Sequence, residues 1–188
     1  MRGLIRRFDS FLRRREAVYE FNTAAHSLLR LRRTRARARV ALGQEWIEPG
    51  EEVLELHLWN EHMPPLPREG PTFAWASRTE RMFVASLRDL AREMRAQPSY
   101  RNVRALRAVT VLLSPGPGSG ASMAARLGFI VRPYRNWLGR FGEFWENFYT
   151  WFIMWTFNAG SLRGRRVLGL QRMEMWMSAE DFVQRFGG

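Results

Sequence analysis

Apolar and polar positions recur along this chain with two different periods, and the switches between them divide it into elements. From Leu4 to Tyr19 the spacing is helical. Leu4, Ile5, Phe8, Phe11, Leu12, Val18 and Tyr19 share one face, with Arg6, Arg7, Arg13 and Arg14 on the other. Arg15 and Asn22 interrupt the stripe, so this helix is expected to break near Asn22-Thr23. A second helical piece, Ala24 to Leu31, is expected to run into an arginine-rich stretch. There Arg33, Arg35, Arg37 and Arg39 alternate with Thr34, Ala36 and Ala38, a period of two that suits a strand with one charged face.

Val40-Ala41-Leu42 and Glu45-Trp46-Ile47-Glu48 flank Gly43-Gln44, the pattern of two short strands around a tight turn. Val53 to Trp59 is the clearest strand, with Leu54, Leu56 and Leu58 on one face and Val53, Glu55, His57 and Trp59 on the other. Met63 to Pro71 is proline-rich and reads as a loop. Ser77-Arg78-Thr79-Glu80 has capping-box spacing, followed on one face by Phe83, Leu87, Leu90 and Met94, which predicts a helix to about Gln97, stopped by Pro98. Ala105 to Leu113 predicts a buried strand, Ser114 to Gly120 a flexible loop, Met123 to Leu127 a short helix and Phe129 to Val131 a short strand. Tyr134 to Asn158 predicts the longest helix, Leu168 to Trp176 the last strand, and Ser178 the start of a terminal helix with acids at its positive end. The order predicts an α+β fold: a single domain over residues 36–188, with a mainly antiparallel sheet of about five strands packed by helices, plus a basic N-terminal helical arm over residues 1–35.

Composition changes this picture mainly through charge. The 188 residues carry 30 basic side chains against 18 acidic ones, and every basic residue is arginine. Residues 1–40 hold 12 arginines against Asp9, Glu16 and Glu20, so +9 of the net +12 lies there. The absence of lysine fits a GC-rich coding background; the clustering of arginine is a separate matter. Arginine holds phosphate through a planar fork that lysine lacks. The absence of cysteine excludes disulfides, thiolate metal sites and cysteine nucleophiles. The start has a basic head without the apolar run of an export signal, and Phe148–Phe157 is about half the length that a bilayer span requires. The expected location is the cytoplasm, against the inner face of the cytoplasmic membrane.

Two segments carry a family resemblance. Glu48-Pro49-Gly50-Glu51-Glu52-Val53-Leu54-Glu55-Leu56-His57-Leu58-Trp59-Asn60 resembles the strand of the YkoP-like domain with its turn glycine, acid and Glu-Leu-His signature. Met175-Trp176-Met177-Ser178-Ala179-Glu180-Asp181-Phe182, with Arg185-Phe186-Gly187, resembles that domain's Trp-x-Ser and helical ending. The arginine-rich arm and a first hairpin without Asp-Gly depart from the family pattern. The resemblance implies a bacterial domain found alone or attached to polysaccharide deacetylases, hence a cell-envelope neighbourhood. It implies no catalytic residue set.

The chemistry the residues offer is sparse. Glu55 and His57 lie two apart on one strand face, with Asn60 at the strand end and Glu61 and His62 beyond. A carboxylate beside an imidazole can set its tautomer and raise its basicity, the minimum for a general base. The competing assignment makes them a solvated strand face or partners of arginines such as Arg37 and Arg39. A metal site from Glu55, His57 and His62 lacks further ligands, and no cofactor is implied. The glycine-rich loop could cradle an anion but lacks P-loop and dinucleotide spacing. Eight aromatics between Phe144 and Phe157 exceed what a small domain easily encloses, which leaves a face for a protein partner. Arg6, Arg7, Arg13, Arg14, Arg15, Arg32 and Arg33 are the candidates for lipid-headgroup or other anion binding. The apolar backing of the arm favours an anionic membrane over nucleic acid as partner. The function expected is a non-catalytic, membrane-peripheral accessory domain in envelope polysaccharide or lipid metabolism. The alternatives are a small hydrolase or transferase using Glu55-x-His57, and a nucleic-acid binder.

Overall fold

The computed structural model describes residues 18–59, 61–65, 67, 72–110, 120–134 and 172–188. Residues 4–17 of the helix expected over 4–19, 114–119 of the loop expected over 114–120 and 135–158 of the helix expected over 134–158 lie outside them; Tyr19 is not helical but bridges Leu31 in antiparallel fashion. The described elements are β1 (Leu29–Arg35), β2 (Val40–Leu42), β3 (Glu45–Ile47), β4 (Glu52–Leu58), α1 (Phe73–Ala96), β5 (Val103–Thr110), α2 (Gly120–Arg126), β6 (Ile130–Pro133), β7 (Met173–Ser178) and α3 (Ala179–Phe186). Five strands form one sheet in the order β1-β4-β5-β7-β6, and β2 pairs with β3 in a separate hairpin.

The sheet is mixed rather than mainly antiparallel. β4 and β5 run parallel, because the 24-residue helix α1 carries the chain back across the sheet before β5 begins. The other neighbouring pairs, β1 with β4, β5 with β7 and β6 with β7, are antiparallel. A second correction concerns the arm. Leu29–Arg35, expected to be helical up to Leu31, is an edge strand of the sheet, paired with β4 from Leu29↔Leu58 to Arg35↔Glu52. Its leucines and arginines alternate with period two, and pairing with β4 buries Leu29 and Leu31 completely. Residues expected in the arm therefore belong to the body.

The helices cover one face of the sheet. Leu29, Leu31, Leu54, Leu56, Leu106 and Met177 pack there against Phe83, Leu87, Leu90, Ala91 and Met94 of α1 and Phe182 and Phe186 of α3. The hairpin covers part of the opposite face, where Val40, Leu42 and Ile47 meet Val53, Ala105 and Trp176. Its turn needs Gly43 at φ +66°, a conformation that side-chain-bearing residues rarely adopt.

Helix α1 starts four residues before the expected capping box. Thr72 is the cap, its hydroxyl accepting from the Trp75 amide at 3.2 Å, so Ser77 and Glu80 fall inside the helix. At α3 the expected cap is the observed one: Ser178 accepts from the Asp181 amide at 3.1 Å. The segment before β1 is tied to α1 by side chains. Asn22 and His26 both reach Asp89, at 2.8 and 2.6 Å, and Ser86 accepts the Leu28 amide at 2.9 Å.

Leu87 is fully buried beneath α1 and Arg88 beside it is exposed. Leu87→Ala is expected to cost about 2–5 kcal/mol through lost burial and the cavity left behind. Arg88→Ala should stay within about 0.5 kcal/mol. Urea unfolding midpoints at unchanged slope check both.

Candidate functional site

The face of the sheet that the helices leave free carries a row of directly opposed residues: Arg32 on β1, Glu55 on β4, Arg107 on β5 and Trp176 on β7. Opposed residues on one sheet face are neighbours, so the register brings their side chains together. Nε of Arg32 donates to Oε2 of Glu55 at 2.9 Å, and its terminal Nη2 reaches the same oxygen. Arg107 lies 3.9 Å from the other carboxylate oxygen and donates to Glu174 at 3.0 and 3.3 Å. Its guanidinium also sits 5.3 Å from the centre of the Trp176 ring and 5.6 Å from that of Tyr134. The result is a chain of alternating charge from β1 across the sheet to β7.

Only 8% of the Glu55 side chain is exposed. Burial alone would push its carboxyl up, but Arg32, then His57 and Arg107, outweigh it and hold it below the usual range. Its charge is therefore kept, and it is already occupied. His57, opposite Arg30 in the register, is displaced the other way. Burial pushes its imidazole below the ordinary value and Arg32 adds to that, against the opposing pull of Glu55. His57 Nε2 is buried and has no hydrogen-bond partner among the described residues. Its distance to Glu55 Oε2 is 3.9 Å, beyond hydrogen bonding, and that oxygen is the one Arg32 holds. The carboxylate that would orient the imidazole for base catalysis is committed to a guanidinium instead.

The structure thus brings Glu55, His57 and Arg32 together. Asn60 lies outside the described residues, as do Arg6, Arg7, Arg13, Arg14 and Arg15. Arg33 is exposed and donates to Glu52 at 2.7 Å, with its guanidinium 4.9 Å from the Tyr100 ring centre. The arginines considered as partners for Glu55 and His57 were Arg37 and Arg39. Arg39 instead pairs with Glu48 at 2.8 Å and stacks on the half-exposed Trp46. His62 stacks on Trp59 at 3.7 Å, and its Nδ1 bonds the Ser27 carbonyl at 2.9 Å. Among the described residues no group of three His, Asp or Glu is placed to hold a metal ion. A cleft of about 440 Å³ lies elsewhere, lined by Gly128, Met177, Asp181, Gln184 and Arg185. Arg107 and Glu174 were missed by sequence reasoning, because nothing local in the chain shows that β5 sits between β4 and β7.

Residues 3–186 match the YkoP domain. This chain belongs to that family. Comparison with curated proteins and with solved structures gives no match. In this YkoP domain the Glu-Leu-His strand is β4, at the centre of the charged row, and the Trp-x-Ser segment ends β7 and caps α3. The two motifs that mark the family are therefore one β-strand apart, on either side of β5.

Two outcomes are expected. Glu55→Ala leaves Arg32 and Arg107 facing each other without their carboxylate. The loss should be about 2–4 kcal/mol, below the ~3–5 of a fully buried pair because Arg32 is 28% exposed. A double-mutant cycle with Arg32→Leu should recover part of it. Because the folded-state pKa of His57 lies below its ordinary 6.5, its contribution to stability is complete above that pH and declines as pH falls beneath it. Glu55, also depressed, gives way only below about 4.5. His57→Asn should therefore flatten the fall in urea midpoint between pH 7.5 and 5 while leaving the loss at lower pH.

Proposed function

We propose that this YkoP domain is a non-catalytic, membrane-peripheral accessory domain of bacterial envelope polysaccharide or lipid metabolism. It would work on the inner face of the cytoplasmic membrane. The observation carrying this reading is how the basic stretch is divided. Of the arginines between residues 30 and 39, Arg30 pairs with Glu20 and Glu61, Arg32 with Glu55, Arg33 with Glu52 and Arg39 with Glu48. Arg35 donates to the Gly50 carbonyl at 2.7 Å. Acidic side chains thus meet four of the six arginines in this stretch. The first 17 residues hold six more arginines against Asp9 and Glu16, interleaved with Leu4, Ile5, Phe8 and Leu12. Charge backed by apolar residues suits an anionic lipid surface. The clamp on Glu55 supports the non-catalytic half of the reading, and the family supports the envelope pathway.

One observation favours a second reading, a small hydrolase or transferase: the buried, unpartnered Nε2 of His57. Turnover of an acylated envelope glycan, abolished by His57→Ala in a folded protein, would establish it. Absence of turnover across such substrates would remove it.

Membrane binding is tested by co-sedimentation with vesicles of phosphatidylcholine alone or with 30% phosphatidylglycerol. The protein should partition to the anionic vesicles. Replacing Arg6, Arg7, Arg13, Arg14 and Arg15 with Gln should lower that partition about 1,000-fold or more at low salt, at about five-fold per arginine near the surface. Equal partition to neutral and anionic vesicles would end the reading.

A further inference from the structure

Helix α1 buries Phe83, Leu87, Leu90 and Met94 against the sheet, and its opposite side carries Arg78, Arg81, Arg88, Arg92 and Arg95, all exposed. At 100° per residue these five fall within an arc of about 100°, centred almost directly away from the buried face. Between Arg78 and Arg95 the arc contains no acid. Glu80, Asp89 and Glu93 lie outside it, and the positions among the arginines are the small residues Ser77 and Ala85. The stripe runs about 26 Å in a straight line.

A solvated helix face ordinarily mixes signs, because like charges three or four residues apart repel. Here Arg78 and Arg81, Arg88 and Arg92, and Arg92 and Arg95 are all such pairs. Some of the charge is used internally: Arg92 pairs with Asp89, and Arg95 donates to the Gly187 and Val183 carbonyls at the end of α3. Arg78 and Arg88 have no ion pair among the described residues, and Arg81 reaches only the Ser77 hydroxyl, at 3.5 Å. At the head of the same helix Phe73 is 89% exposed.

We propose that the outer face of α1 is a docking surface for an anionic phospholipid bilayer, with the helix lying flat on the headgroups. This inference rests on the membrane reading above and adds a second contact to it, built on the body of the domain. A straight line of guanidinium groups separated by small residues meets a planar field of phosphates along its whole length. A nucleic-acid backbone winds away from such a line, and the arc holds no Asn or Gln to read base edges. A second copy would bring an identical positive stripe and is repelled.

The test uses the full chain and the same two vesicle compositions. Arg78→Gln, Arg81→Gln and Arg88→Gln combined should lower partition to anionic vesicles about 100-fold at low salt, at about five-fold per arginine. A control with the same loss of charge elsewhere, Arg37→Gln, Arg101→Gln and Arg104→Gln, should lose far less. Circular dichroism confirms that each variant is folded. If the wild-type chain ignores anionic vesicles, the membrane reading and this inference both fall. If the wild type binds, the inference alone is overturned when the stripe variant binds equally well, or when the control loses as much. It is overturned as well if the stripe variant loses affinity for a 30-base-pair duplex while its vesicle binding is unchanged.

Discussion

A carboxylate that keeps its charge inside a sheet must be met by cations, and Glu55 imposes that requirement at the centre of this fold. An unpaired charge there would be strongly destabilising. Arg32 from one neighbouring strand and Arg107 from the other meet it, and Arg107 passes the charge on to Glu174. Each pairing holds only in one register: a slip by a single residue would turn Arg32 or Arg107 to the helix-covered face. The row therefore couples the alignment of β1, β4, β5 and β7, two of which run parallel and two of which lie far apart in the chain. The cost of this specificity falls on half-buried His57, whose Nε2 is buried beside a carboxylate that arginine has already taken.

The two faces of the sheet divide the work. The helical face is apolar and supplies cohesion through leucines from β1, β4 and β5. On the other, the hairpin caps an apolar half, and the remainder is charged. The N-terminal approach to β1 is pinned to α1 by Asp89 and Ser86, so the strand edge, the long helix and the charged row form one connected unit. On the outside of α1, Arg92 and Arg95 are engaged by Asp89 and the end of α3, while Arg78 and Arg88 have no ion pair among the described residues. Its arginines are presented on a rigid cylinder whose opposite side is locked into the core.

Much of this was written locally. The alternation in Val53–Trp59, the Gly43-Gln44 turn, the apolar stripe under α1 and the Ser178 cap each depend on neighbours in the chain, and each was read with the right type of element. The apolar stripe of α1 also implied its complement, since residues three and four apart share a face. The errors arose where tertiary contacts outvoted local pattern. Ala24–Leu31 has acceptable helical spacing, but Leu29 and Leu31 are buried in a strand paired with β4. Ser77–Glu80 has the spacing of a cap, but four helical residues precede it.

By itself, the sequence determined the class of fold, the position of strand β4 to within one residue at each end, the family and the placement of +9 within the first 40 residues, because periodicity and charge are local properties of a chain. Only the tertiary structure decided that β5 enters parallel to β4, that Arg107 rather than Arg37 or Arg39 shares Glu55 with Arg32, and that the buried Nε2 of His57 has no hydrogen-bond partner among the described residues. Those facts depend on which strands become neighbours and in what register, and that is set by burying the leucines of β1, β4 and β5 beneath one helix.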